Sequence, residues 1–175
     1  MSGIKITTRE LETLIHPNFI SDSIVDAVLR IFQKRHPNIE VRDFCILTSI
    51  LDMKSFSISR SKDVVIFPYC SENHWRLILV FGKVYQWSCV DPKGVGEAVK
   101  NKIQQKFLDS CVSGRRGIKY EYKPVSYEEQ LDNTLCGVLI IKHVYDYEHI
   151  GRNNLGPETN VLLFRDDIFK LIVWI

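Results

Sequence analysis

The order of apolar and polar positions divides the chain into a helical front, a strand-rich middle and a helical back. Thr7-Thr8-Arg9-Glu10 has the form of a capping box and opens a short helix that ends near His16-Pro17. Phe19-Ile20-Ser21-Asp22 then leads into a second helix, with Ile24, Val25, Val28, Ile31 and Phe32 on one stripe. Its basic end, Lys34-Arg35-His36, is terminated by Pro37. Residues 41–58 fit either a helix, through Phe44, Leu47, Ile50 and Leu51, or an irregular segment. From Asp63 the period shortens. Val64-Val65-Ile66-Phe67 reads as a buried strand ended by Pro68. Residues 75–81 and 84–90 read as a hairpin turning at Gly82-Lys83 and closed by Asp91-Pro92-Lys93-Gly94. From Val95 to about Cys111 the pattern is helical, with Val99, Ile103, Phe107 and Leu108 inward. A loop at Ser113–Gly117 precedes an alternating edge strand over 118–125. Two helices close the chain, one from Cys136 to about His149 and one from Arg165 to Trp174, joined by a Gly/Asn/Pro-rich loop over 151–160. This order predicts an α+β fold: a central, mostly antiparallel or mixed sheet flanked by helices, with Cys136 at the N-terminus of a helix.

Composition narrows the class without changing that picture. The 175 residues, 45% hydrophobic and 25% charged, suit one domain spanning 1–175, and the uncapped apolar end Leu171–Ile175 fits a domain cut from a longer chain. A net charge of +2 gives no steer toward nucleic acid or a membrane surface. No apolar run is long enough to span a bilayer. The first residues lack a signal-peptide core, and Ser2 rules out myristoylation. Cysteines 45, 70, 89, 111 and 136 are odd in number and form no C-x-x-C pair. A disulfide framework, a metal or another cofactor is therefore not expected, and a reducing compartment, cytoplasmic or nuclear, is. A monomer is expected.

One cysteine stands out chemically. A polar loop over 128–135 delivers Cys136 to the first position of an apolar helix, where unsatisfied N–H groups and the helix dipole favour thiolate over thiol. Gly137 leaves open space beside the sulfur. The bland alternative, a buried structural cysteine at a helix start, is the commoner case on this signal alone. A nucleophilic thiol needs a base, and the base needs an orienting group. His16 and His36 precede prolines and read as solvated caps. His143 and His149 lie a turn or more beyond the thiol, as surface or packing residues. His74 differs: it opens the most apolar strand, and the strand paired with it ends in Asp91, so the hairpin brings the two within hydrogen-bond reach.

These residues carry a resemblance. The chain is similar to the Ulp/SENP-type (clan CE) cysteine proteases, a group that includes adenovirus-type proteases and bacterial effector deubiquitinases. Phe19-Ile20-Ser21-Asp22 with Ile24 resembles the W-L-x-D lead-in to the first long helix. Val65-Ile66-Phe67-Pro68 resembles the strand before the histidine, and His74-Trp75-Arg76-Leu77 matches H-W-x-L. Asp91 stands at the acid position, and Gln130 lies six residues before Cys136-Gly137, as in Q-x(4)-D-C-G. The match covers roughly residues 15–145. Phe19 departs from tryptophan, Leu135 from aspartate, and Pro92 from serine, which moves the chain toward divergent viral or bacterial members.

The resemblance implies an isopeptidase that cleaves after the C-terminal Gly-Gly of ubiquitin or a ubiquitin-like protein, with the departures leaning toward ubiquitin and toward an effector secreted into a host cell. His74 would act as base, Asp91 as its orienter, Cys136 as nucleophile and Gln130 as oxyanion donor. Trp75 and Phe19, with Asp22 and Leu135 nearby, would bound the channel for the tail. On residue type alone Trp75 is a core aromatic under the sheet. Competing readings are a SUMO- or NEDD8-specific protease of the same fold, an adenovirus-type polyprotein protease, an acetyltransferase, and a binding module with a dead site.

Overall fold

The computed structural model describes residues 5–15, 18–43, 58–108, 119–126, 129–130, 133–150 and 161–173. The expectations for His16, for 44–57, for the loops at 113–117 and 151–160, for Cys111 and Trp174, and for the side chains of Phe107 and His149 lie outside the described residues.

Helix α1 (Thr8–Glu12) carries the capping box: the Thr7 hydroxyl accepts from the Glu10 N–H at 3.3 Å, and the Glu10 carboxylate accepts from the Thr7 N–H at 2.7 Å. Helix α2 (Asp22–Arg35) starts at Ser21, whose hydroxyl accepts from the Ile24 N–H, and buries Ile24, Val25, Val28, Leu29 and Phe32. His36 is its C-cap. The ring is half-buried over Phe32, centroids 4.4 Å apart, and not the solvated cap expected.

Strands β1 (Ile39–Val41), β2 (Val64–Ser71), β3 (His74–Phe81), β4 (Gln86–Val90) and β5 (Glu121–Tyr122) form one sheet in chain order. The inner pairings are antiparallel, while β1–β2 and β4–β5 are parallel. Helix α3 (Glu97–Lys102) runs into a wider π turn (Ile103–Leu108), followed after β5 by α4 (Cys136–Ile150) and α5 (Val161–Val173). The fold is α+β with a mixed sheet, as expected.

Several details differ from the sequence reading, among them an edge strand cut to Glu121–Tyr122 and a last helix that starts at Val161 and not at Arg165. β1 carries no strand signal of its own. β2 continues through Pro68 to Ser71; β1 pairs only as far as Ile66, so the missing N–H of Pro68 falls at an edge position. The β3–β4 link is four residues, Gly82–Tyr85, with Tyr85 at φ 53°, so β4 begins two residues later than expected. The helix expected over 95–111 is split by its π turn.

Alternation along β2–β4 sorts the core into two faces. One face packs Ile66, Leu77 and Leu79 with Trp75 against α2, α4 and α5. The other buries Phe67, Ile78 and Val80 with Trp87 and Cys89, under Ile103 and Leu108. The β2–β3 turn has only two residues. Glu72 (φ 54°) and Asn73 (φ 56°) are both left-handed, as a tight hairpin of this type needs, so His74 pairs at once with Ser71. That turn fixes the start of β3, and α4 lies directly against that strand.

Candidate active site

Register brings the acid to the histidine. Leu77 pairs with Val90, so continuing the ladder sets Asp91 opposite Arg76 and diagonal to His74. His74 Nε2 lies 2.5 Å from Asp91 Oδ1, and both residues are buried. The same oxygen accepts from the Lys93 N–H at 3.0 Å, while Arg76 Nε donates to Oδ2 at 2.6 Å and Arg76 NH1 to Ser71 Oγ at 3.1 Å. Burial favours the neutral acid, yet the hydrogen bonds from His74, Arg76 and Lys93 hold the Asp91 carboxyl below its ordinary range. Burial likewise works against a charged His74 ring, but hydrogen bonds to Asp91 and Cys136 win, and the imidazole is raised above its usual value.

Cys136 is the first residue of α4 and is 1% exposed. Burial pushes its thiol up. Hydrogen bonds from His74 and from the Trp75 and Gly137 N–H groups outweigh that, and the thiol ends below its ordinary value. With Nε2 engaged by Asp91, Nδ1 is the ring nitrogen left to serve the thiol, and it has no fixed hydrogen-bond partner among the described residues. The two neighbouring thiols behave otherwise. Burial, then the charges of Cys136 and Asp22, push Cys70 up, and burial pushes Cys89 up to about 12.

The space expected beside the sulfur is not open. A Cβ on Gly137 would collide with the Ile20 side chain and stand 3.1 Å from the Trp75 ring, so glycine is there to let α4 approach β3 and the start of α2. Trp75 is buried in the core face that contains Cys136, and Leu135 is buried beside it in the chain. Phe19 is 47% exposed, and Asp22 is exposed in the first turn of α2, where its carboxylate accepts from the Ser23 N–H at 2.8 Å. The Gln130 backbone N–H donates to the Pro92 carbonyl at 2.9 Å, which ties it to the loop just after Asp91. Both amide atoms of Gln130 are buried with no partner among the described residues, an arrangement that costs free energy unless a further group completes it. His143, half-buried on α4, is held near 4 by burial and stays neutral.

Three contributors were missed by the sequence reading. Arg76 shares a strand face with His74 through i, i+2 alternation, a signal that was there to use. Ile20 fills the place of a side chain at Gly137. Arg165, buried on α5, donates to the Thr13 carbonyl (3.2 Å), the Asn18 carbonyl (2.9 Å) and the Thr134 carbonyl (3.4 Å), pinning both the segment before α2 and the loop before Cys136. Among the described residues no cluster of three or more His, Cys, Asp or Glu is placed to hold a metal, and no helix is long and apolar enough to cross a membrane. The arrangement supplies a thiol poised to ionise, an imidazole to take its proton, and a buried carboxylate to orient that imidazole.

No protein-family model matches the sequence, and no curated protein matches it significantly. Solved structures do. The C-terminal Ulp1 protease domain in complex with Smt3, the yeast ortholog of SUMO, superposes with a TM-score of 0.83 at 19% identity, over 99% of this chain and 85% of that one. The Chaetomium thermophilum Ulp1-like SUMO protease catalytic domain gives 0.67 at 14%, over 96% and 78%. The Chlamydia trachomatis effector Cdu1, bound to ubiquitin, gives 0.52 at 14%, over 92% and 93%. Sheet, flanking helices and the helix that begins at Cys136 together have the fold of the Ulp-type cysteine proteases.

Proposed function

We propose that the protein is a cysteine isopeptidase that cleaves after the C-terminal Gly-Gly of ubiquitin. The observation that supports it most is the opposed shift of two groups on one hydrogen-bonded pair: the Cys136 thiol is lowered while the His74 imidazole, 2.5 Å from Asp91, is raised. In this reading His74 takes the Cys136 proton, and the thiolate attacks the glycine carbonyl. The imidazolium then protonates the leaving amine, and water releases the acyl group by the reverse proton path. Asp91 holds the tautomer and offsets the imidazolium charge. Gln130, whose amide has no partner among the described residues, would complete its hydrogen bonding on the developing oxyanion together with the Cys136 N–H, a contribution of about 3 kcal/mol per donor. Buried Trp75 and the exposed ring of Phe19 would bound a channel too narrow for side chains, with Asp22 and Leu135 along its path.

A SUMO-type modifier is the second reading, favoured by the nearer backbone match to Ulp1 (0.83) than to Cdu1 (0.52). Activity probes built on ubiquitin, SUMO and NEDD8 separate the readings. Covalent labelling of Cys136 by the ubiquitin probe is the expected result, and labelling by the SUMO probe alone overturns the choice of modifier. Binding of a modifier without turnover on any of them would instead support a dead module.

A further inference from the structure

Asp91 is shared. Its Oδ1 faces His74 Nε2 and the Lys93 N–H, and its Oδ2 takes the Arg76 Nε proton at 2.6 Å, in a pair where Asp91 is 1% exposed. The guanidinium is itself anchored at its other end, since NH1 donates to Ser71 Oγ at 3.1 Å, and Ser71 is the residue that pairs with His74 across the tight turn. A planar fork held at both ends fixes the plane of the carboxylate it binds.

We propose that Arg76 is a positioning residue of this site, holding the Asp91 carboxylate so that one oxygen stays on His74 while its own positive charge opposes that of the imidazolium. The inference rests on the isopeptidase reading above. Among the described residues the charged or titratable groups that face the ring are Asp91 from the end of β4, Arg76 from its own strand and Cys136 from α4; the Cys70 thiol meets the His74 backbone N–H instead of the ring. Arg76 is the one cation in that set, and it draws the ring's proton affinity down while Asp91 raises it. A triad with Asp91 alone would hold its imidazolium more tightly and release that proton to a leaving amine less readily.

The test is the rate of Cys136 alkylation by iodoacetamide from about pH 5 to about pH 10, read on the Cys136 peptide by mass spectrometry. The natural protein should show two inflections, one as the thiolate pairs with imidazolium and a higher one as His74 loses its proton. Arg76→Gln should move the upper inflection to higher pH, and Arg76→Lys should leave it near its original place. Ser71→Ala, which frees only the far end of the guanidinium, should give a smaller move in the same direction and serves if the glutamine variant melts. Arg76→Ala should lower kcat/KM on a modifier substrate about tenfold to hundredfold, in kcat and not in KM, below the full effect of losing acid–base catalysis. An upper inflection unmoved, or moved down, in a folded Arg76→Gln protein overturns the proposal. Alkylation needs no modifier, so absence of turnover on every modifier would sink the isopeptidase reading while leaving this readout intact.

Discussion

Among the described residues each face of the sheet has one buried tryptophan and one buried cysteine, and only one of the two thiols lies below its ordinary value. On the α4 face Trp75 lies with Cys136, 1% exposed; on the other, Trp87 lies with Cys89, which is fully buried. Exposure therefore does not distinguish them. Cys89 sits within β4 opposite Ile78, with no donor among the described residues aimed at its sulfur to offset the loss of water, and its thiol rises to about 12. Cys136 is also cut off from water, though less deeply, but begins a helix and receives hydrogen bonds from an imidazole and two backbone N–H groups, which lower it. Donors toward the sulfur, more than exposure, set the two thiols apart.

The comparison breaks most sharply if the two thiols are exchanged. Cys136→Ala should remove all turnover and leave modifier binding intact. Cys89→Ala should keep kcat/KM within about twofold and lower stability by about 1 kcal/mol, read as a shift in urea midpoint. Iodoacetamide near neutral pH should mark Cys136 and leave Cys89 untouched, because the Cys136 thiol lies below its ordinary value while that of Cys89 is pushed up to about 12.

A smaller effect probes how tightly α4 must approach. Gly137→Ala pushes a methyl into Ile20, a β-branched side chain with little rotamer freedom, and toward Trp75. The expected cost is about 1–3 kcal/mol, with kcat falling as the sulfur shifts from His74. Full activity and stability in that variant would show that the helix start tolerates displacement.

The smallest effect is on the pH dependence of stability. The native Asp91 carboxyl lies below its ordinary 3.8, so its contribution is complete above that pH and is lost as pH falls through the native value. The native His74 lies above 6.5, so its contribution is complete below 6.5 and is lost as pH rises through its native value. Urea midpoints should therefore hold both contributions between 3.8 and 6.5 and decline on either side. His74→Ala should flatten the alkaline decline, and an unchanged alkaline limb would contradict the raised imidazole.

Local signals served well where local physics decides. The Thr7/Glu10 capping box, the stripe of α2 and the helix opening at Cys136 are each set by neighbours within a turn or two, and each was readable. The His74–Asp91 juxtaposition was readable because a hairpin converts sequence order into contact. What escaped was set across the fold. Three residues of β1 are a strand only because β2 lies parallel beside them. Pro68 is admitted because β1 stops at Ile66. Tyr85 takes a left-handed φ in a turn longer than Gly82-Lys83 advertised, with its ring edge-on to Tyr120. The occupant of the space at Gly137 comes from Ile20, more than a hundred positions away in the sequence.

Arg165 has a consequence for how the molecule comes into being. Its guanidinium closes contacts with Thr13 and Asn18 across 152 and 147 positions of sequence, and with Thr134 in the loop before the nucleophile. Such long closures come late in folding, since their loop entropy is offset only once nearly everything between them is in place. A nascent chain that has made His74, Asp91 and Cys136 still lacks the clasp that holds the cysteine loop. The loop before Cys136 is thus clasped only once α5 has been made and docked, so this corner of the fold reaches its final arrangement late.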